Sequence, residues 1–250
     1  MSNMIKASQN RLIISLLLLS STLLHAQNTY SLQLGTDLPL MGLGIGTSAS
    51  GWALGKKIKP LQPAEIALLN RNDVFSIDRK ATYLLSEKAA RASDLVFYAA
   101  TLAPVLLLAD PKARKESGAI SVMYLETIML TGGLTIMTKN LAKRPRPYTY
   151  NPNSTLQLKQ QRDARQSFFS GHTSTTAAAS FFAAKVWSDL HPDSKWKPAV
   201  WAAAAGIPAV TGYLRIRAGR HFFTDVATGY ALGAAVGWLV PVLHRKLSQP

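Results

Sequence analysis

The sequence predicts an all-α fold, a bundle of about five to six helices embedded in a membrane. Three observations predict it. Alanine-rich and leucine-rich apolar segments recur along the 250 residues, and strand signals between them are weak. Only 16% of the residues are charged, against about a quarter in soluble domains. Ala and Gly stud the apolar segments, which lets helix backbones approach closely, as membrane bundles require. The mean hydropathy of +0.07 is low for a chain that is mostly transmembrane. Several segments are short beside the roughly 20 residues that a span needs. A soluble helical core is therefore the competing reading.

The elements follow in order. Residues 1–26 open with Lys6 and Arg11, continue through an apolar run at 12–24, and end at Ala26 before Gln27. That is a charged start, an apolar core and a cleavage point, so the segment reads as a signal peptide or an N-terminal anchor. Residues 27–91 form an N-terminal region, apolar and glycine-rich at 38–54, then polar and amphipathic at 63–92, where the chain is expected to pack across the surface. The apolar run 95–109 ends at Asp110-Pro111, a helix stop. Another, 119–137, carries Glu126 inside it. A polar loop rich in Pro, Asn and Gln covers 144–165, and three small-residue helices are predicted over 175–187, 198–213 and 226–243.

Charge and composition narrow the function. The net charge is +15, but the basic residues lie in short clusters between apolar runs. Lys56, Lys57 and Lys59 form one, Lys112, Arg114 and Lys115 another, and Lys139, Lys143, Arg144 and Arg146 a third. Clusters at the ends of apolar runs fit positive-inside loops and phosphate sites, not a nucleic-acid face. The chain has no cysteine, which excludes thiolate catalysis, disulfides and cysteine-based zinc sites. No grouping of Asp, Glu and His suggests a metal site, and no cofactor is expected. Topology leaves one conflict. With the 144–165 loop outside and the leader cleaved, 38–54 would have to cross between two points on the same side, so either the leader stays or 38–54 does not span.

Three clusters carry chemistry. Lys139 and Arg146 follow an apolar helix and stand seven residues apart, with Pro145 and Pro147 around Arg146. Ser170-Gly171-His172 opens an alanine-rich helix. There, free N–H groups and the helix dipole favour an anion, and Gly lets the backbone come close to it. In the third cluster Arg215 precedes His221, and Asp225 lies four residues beyond, within reach of the imidazole. A carboxylate on one ring nitrogen fixes the tautomer and leaves the other nitrogen free to attack.

At these residues the sequence resembles the superfamily of type-2 phosphatidic acid phosphatases and vanadium haloperoxidases, whose motifs read Lys-x6-Arg-Pro, Pro-Ser-Gly-His and Ser-Arg-x5-His-x3-Asp. Lys139, Arg146, Pro147, Ser170, Gly171, His172, Arg215, His221 and Asp225 match in order and spacing, while Phe169 stands for the Pro and Leu214 for the Ser. The missing Ser removes one possible hydroxyl contact. The resemblance covers roughly residues 92–244 and implies that 92–250 is the catalytic bundle. It implies a metal-independent phosphatase in which His221 is the nucleophile, Asp225 orients it, and His172 is the general acid and base. Lys139, Arg146, Arg215, Ser170 and Gly171 would bind the phosphate. The expected substrate is a phosphorylated lipid, with small phosphate esters as the alternative. The expected place is the inner membrane of a cell envelope with the site facing the periplasm, or else the soluble periplasm. A vanadium haloperoxidase is a further alternative, for which the chain is short.

The other polar residues read as follows. His191 and His244 are expected at the surface. Lys143 and Arg217 are expected to be solvated, and Arg144 and Arg220 are left open. Glu126 either pairs inside the bundle or is half-buried.

Overall fold

The structure, a computed structural model, describes residues 28–246. The leader segment at 1–26 lies outside the described residues. No strand occurs among them, and six long helices account for the expected bundle. They are α1 (Leu34–Gly55), α2 (Glu87–Leu102), α3 (Ser117–Ala142), α4 (Gly171–Leu190), α5 (Lys197–Arg217) and α6 (Phe223–His244).

Local chemistry sets where they begin and end. Ser86 caps α2, its hydroxyl accepting the Ala89 N–H at 3.3 Å, with Glu87 in the first turn. Pro198 sits in the first turn of α5, where its missing N–H costs nothing. α3 stops at Lys143, whose φ of 47° puts it in the left-handed region, and Pro145 then prevents the helix from resuming. Asp110-Pro111, expected as a stop, both ends the apolar run and starts a short helix. The Asp110 carboxylate accepts the Lys112 N–H at 2.9 Å. Of the segment 63–92, expected to be amphipathic, residues 63–86 break into short turns that cross one end of the bundle, and the rest is the first part of α2.

α4 is the axis. It is buried along nearly its whole length and packs on α2, α3, α5 and α6, while α1 lies outside against α3. The chain runs up and down in turn. Gly44, Gly51 and Gly55 of α1 advance along α3 past Met129, Ile136 and Asn140, so these two helices are parallel. Tyr124 of α3 meets Phe182 of α4, and Thr135 meets Ser174, so those two are antiparallel. One end of the bundle therefore gathers the end of α3, the starts of α4 and α6, and the end of α5. These are the places where the three sequence clusters sit. The opposite end gathers residues 28–33, the 111–115 helix and the end of α6. A core of Tyr30, Leu107, Ile120, Met123, Phe182, Val186 and Val240 fills that end.

Four helical segments are long and apolar enough to cross a membrane: Glu87–Ala109, Ser117–Tyr150, Lys197–Arg217 and Phe223–His244. Large apolar side chains lie on their outer surfaces, among them Leu95, Leu102, Leu106, Leu141 and Leu243. With four such segments and their large apolar side chains turned outward, the chain is a membrane protein.

Candidate active site

The site is built at the turn between α5 and α6. Gly219, with φ of 68°, makes the turn, and a Cβ there would strike the Leu84 carbonyl. The turn delivers His221 into the interior with 1% of its surface exposed. Its Nε2 lies 3.2 Å from the Arg146 guanidinium. Guanidinium only donates, so Nε2 carries the lone pair and Nδ1 the proton. Burial, with Arg146, Lys139, Arg215 and His172 around it, holds His221 well below the ordinary imidazole range. It is therefore neutral at pH 7. These five residues come from all three sequence clusters, and the fold brings them together.

Each cation is held in place. Arg146 is 4% exposed. It donates to the Asp163 carboxylate at 2.6 Å and to the carbonyls of Asp163 and Arg220, both at 2.9 Å. Arg215 donates to the Ser93 hydroxyl at 3.1 Å and the Asp94 carboxylate at 3.3 Å. The Lys139 ammonium donates to the Gln166 carbonyl at 3.1 Å. Three positive groups around a neutral imidazole form a trap for an anion of high charge.

His172 opens the first turn of α4. Its Nε2 lies 2.9 Å from the same Asp94 oxygen that Arg215 reaches, and its ring lies against Phe97 with centroids 4.5 Å apart. Burial and the Arg215 charge lower its pKa to about 4, against the opposing pull of Asp94. Ser170 is the N-cap of α4, its hydroxyl 2.9 Å from that of Thr173. Gly171 follows at the first helical position. A methyl on it would press on Thr135 at 3.1 Å.

Asp225 sits differently from the plain reading of its spacing. Its Oδ2 is 3.5 Å from His221 Nδ1, a contact without a hydrogen bond. The carboxylate instead accepts from the Ser167 hydroxyl at 2.5 Å, the Phe222 N–H at 2.9 Å and Arg144 at 2.6 Å. It thus holds the turn that carries His221. Arg144, left open by the sequence, joins Asp225 to Asp78 at 2.8 Å and lies over the Phe222 ring at 4.1 Å. Arg220 reaches Glu87 at 3.5 Å.

Sequence reasoning missed Asp94, Asp163, Asp78 and Ser167. Asp94 carried a usable signal, being an acid at the edge of the apolar run 95–109. The others lie in polar stretches with nothing to mark them. Two surface readings change. His244 is buried, 2% exposed, because it turns inward to Asp37 at 2.7 Å. His191 is half-buried, 3.2 Å from Asp110. Glu126 is fully buried. Phe169 is buried too, with its ring edge against Phe168.

A search of curated proteins finds no match, and neither does a search of solved structures. The model of one family, described as the PAP2 superfamily, matches residues 121–249. That stretch runs from α3 to the end of α6 and holds every site residue predicted from the three clusters, while Asp94 and α1 lie before it. On the match and the motif residues it encloses, this chain belongs to the PAP2 superfamily, a superfamily of phosphatases.

Proposed function

We propose that the protein is a lipid phosphatase of the cell envelope that hydrolyses a phosphomonoester or pyrophosphate through a phosphohistidine. The observation that carries this is the buried, neutral His221, its Nε2 lone pair turned toward Arg146 with Lys139 and Arg215 beside it. The substrate phosphate takes its three equatorial oxygens to those cations, to the Ser170 hydroxyl and to the Gly171 N–H. His221 Nε2 attacks phosphorus. The P–N bond forms as the bond to the leaving oxygen breaks, and His172 gives that oxygen its proton. His172 then takes a proton from water, the hydroxide attacks phosphorus, and the P–N bond breaks to release inorganic phosphate. A bound phosphate dianion raises the His172 pKa, since opposite charge favours the protonated ring. Asp225, through the Phe222 N–H and Arg144, keeps the His221 turn in register. Catalysis needs no metal in this scheme.

The apolar outer surface supports a lipid substrate, as does a cavity of about 370 Å³ beside the site end. Ile77, Leu84, Ile216 and Phe223 line it, with Lys80 and Arg217 among them. That is a surface for an acyl or prenyl chain with an anionic head. Phosphatidic acid, phosphatidylglycerol phosphate, a polyprenyl pyrophosphate and the phosphates of lipid A are the candidates.

Trapping tests the mechanism. p-Nitrophenyl phosphate has a leaving group that needs no acid, so His172→Ala should still be phosphorylated but fail to turn over. Acid-labile, base-stable phosphoprotein should accumulate in His172→Ala and be absent from His221→Ala. Phosphoprotein in His221→Ala would end the proposal. Faster release from p-nitrophenyl phosphate than from any of the lipids would point to a soluble-ester phosphatase.

A further inference from the structure

We infer that Asp37, Glu126 and His244 form a site for a divalent transition-metal ion, at the end of the bundle remote from His221. Asp37 lies in the first turn of α1, Glu126 on α3, and His244 is the last residue of α6. The donor atoms of the three all lie within 4.8 Å of one another. His244 Nε2 is 2.7 Å from Asp37 Oδ1 and 3.3 Å from Glu126 Oε2.

Two observations point to a cation. First, Glu126 has no exposed surface, and neither of its carboxyl oxygens has a hydrogen-bond partner. A buried carboxylate left so is costly. Second, His244 Nδ1 is 2.8 Å from the Val240 carbonyl oxygen. That oxygen only accepts, so Nδ1 carries a proton and Nε2, which faces the two carboxylates, is the ring atom left to hold an ion. Two carboxylates packed this closely around one ring nitrogen repel unless a positive charge, a metal ion or a proton, sits among them. A backbone carbonyl on the far ring nitrogen is also the usual partner of a metal-bound histidine. One imidazole and two carboxylates suit Zn²⁺ or Mn²⁺, and three protein donors leave a position for water.

The site would tie α1, α3 and α6 together. Along α3, Glu126 is about 20 Å from Lys139 at the rise of a helix, so the ion takes no part in phosphate transfer. The inference is independent of the phosphatase reading.

The test uses the full chain in mild detergent, stripped with chelator and then titrated with Zn²⁺ and with Mn²⁺. Uptake of about one ion per chain is expected, as for a three-ligand site. Bound ion should raise the unfolding temperature of the stripped protein. Glu126→Gln and His244→Gln should each weaken uptake by on the order of tenfold or more, whereas His221→Ala should keep it. If the stripped wild type neither takes up either ion nor changes its unfolding temperature, the inference is overturned, and the cluster is an imidazolium–carboxylate pair with a protonated Glu126. The wild-type titration decides even where a variant fails to fold.

Discussion

Asp225 has no exposed side-chain surface, and its position depends on what Arg144 does. One guanidinium reaches two buried carboxylates and lies over an aromatic ring. Removing it leaves Asp78 and Asp225 uncompensated, the situation in which breaking a buried pair is most destabilising. Arg144→Ala should cost about 3 kcal/mol, the lower end of that range because Arg144 is itself 26% exposed. Arg144→Lys should recover only part of it, since an ammonium lacks the fork and the flat face. Chemical denaturation in detergent checks both, and a loss below about 0.5 kcal/mol, the scale of an ordinary surface change, would show that the bridge is idle. Asp94 acts on the chemistry through another residue. Its carboxylate opposes the burial and the Arg215 charge that lower the His172 pKa, so Asp94→Asn should lower that pKa further. His172 must be protonated to serve as the acid, and it loses its proton as pH rises through its pKa. The alkaline limb of kcat on a lipid substrate should therefore move to lower pH in Asp94→Asn. A uniform loss at every pH would mean that Asp94 only supports packing. The difference between these acids and the motif residues explains what the sequence disclosed. His221, Asp225 and Arg215 lie within eleven residues, so spacing brings them to one turn before any packing is known. Asp94 meets His172 across 78 positions, and no local pattern encodes such a meeting.

Among the elements, the contact between α4 and α6 fixes the depth of the site. Gly229, Gly233 and Gly237 recur every fourth residue and so share one face of α6. A methyl on Gly229 would lie 2.6 Å from the Ser170 carbonyl, and methyls on the other two would meet the carbonyls of Ser174 and Ala178. Their neighbours are backbone and cannot turn aside. The helices therefore pack backbone to backbone, as small residues in membrane bundles allow, and this packing sets Ser170 beside the His221 turn. Gly233→Ala should destabilise by about 2 kcal/mol, as overpacking does. It should also lower phosphate release by displacing Ser170. Gly206→Ala, in α5 with nothing near its Cβ, should instead stabilise by up to about 1 kcal/mol. Thermal unfolding of the two variants side by side checks the pair, and a rise of equal size in both would leave helix propensity alone at work, with no close approach at Gly233. The recurrence of Gly and Ala was visible in the sequence, but not which helix each one faces. The same limit applies to His244, placed at the surface because it ends an apolar run, when the neighbours that bury it, Asp37 and Glu126, come from α1 and α3.

For the molecule as a whole, the alternating helices put the site at one end and residues 28–33, Lys112, Arg114, Lys115 and Arg245 at the other. Cations occur at both ends, so their number alone does not orient the chain. Their company differs. At the site end Arg144, Arg146, Arg165 and Arg220 are each tied to a carboxylate, while Lys56, Lys57, Lys59 and Lys143 stand exposed. At the other end Arg114 and Lys115 stand exposed in a short connection between two apolar segments, the setting in which Lys and Arg hold a loop on the cytoplasmic side. On that rule the site end is expected to face outward. The absence of cysteine makes this directly measurable. Asn153 is exposed in the loop between α3 and α4, at the site end. In intact cells a membrane-impermeant maleimide should label Asn153→Cys at once, and Lys115→Cys only after the membrane is opened. Labelling in the reverse order would turn the site toward the cytoplasm and restrict its substrates to lipids of the inner leaflet. Labelling of both positions in intact cells would mean that the bundle does not span, and the exposed leucines of α2 and α3 would then need a protein partner in place of lipid.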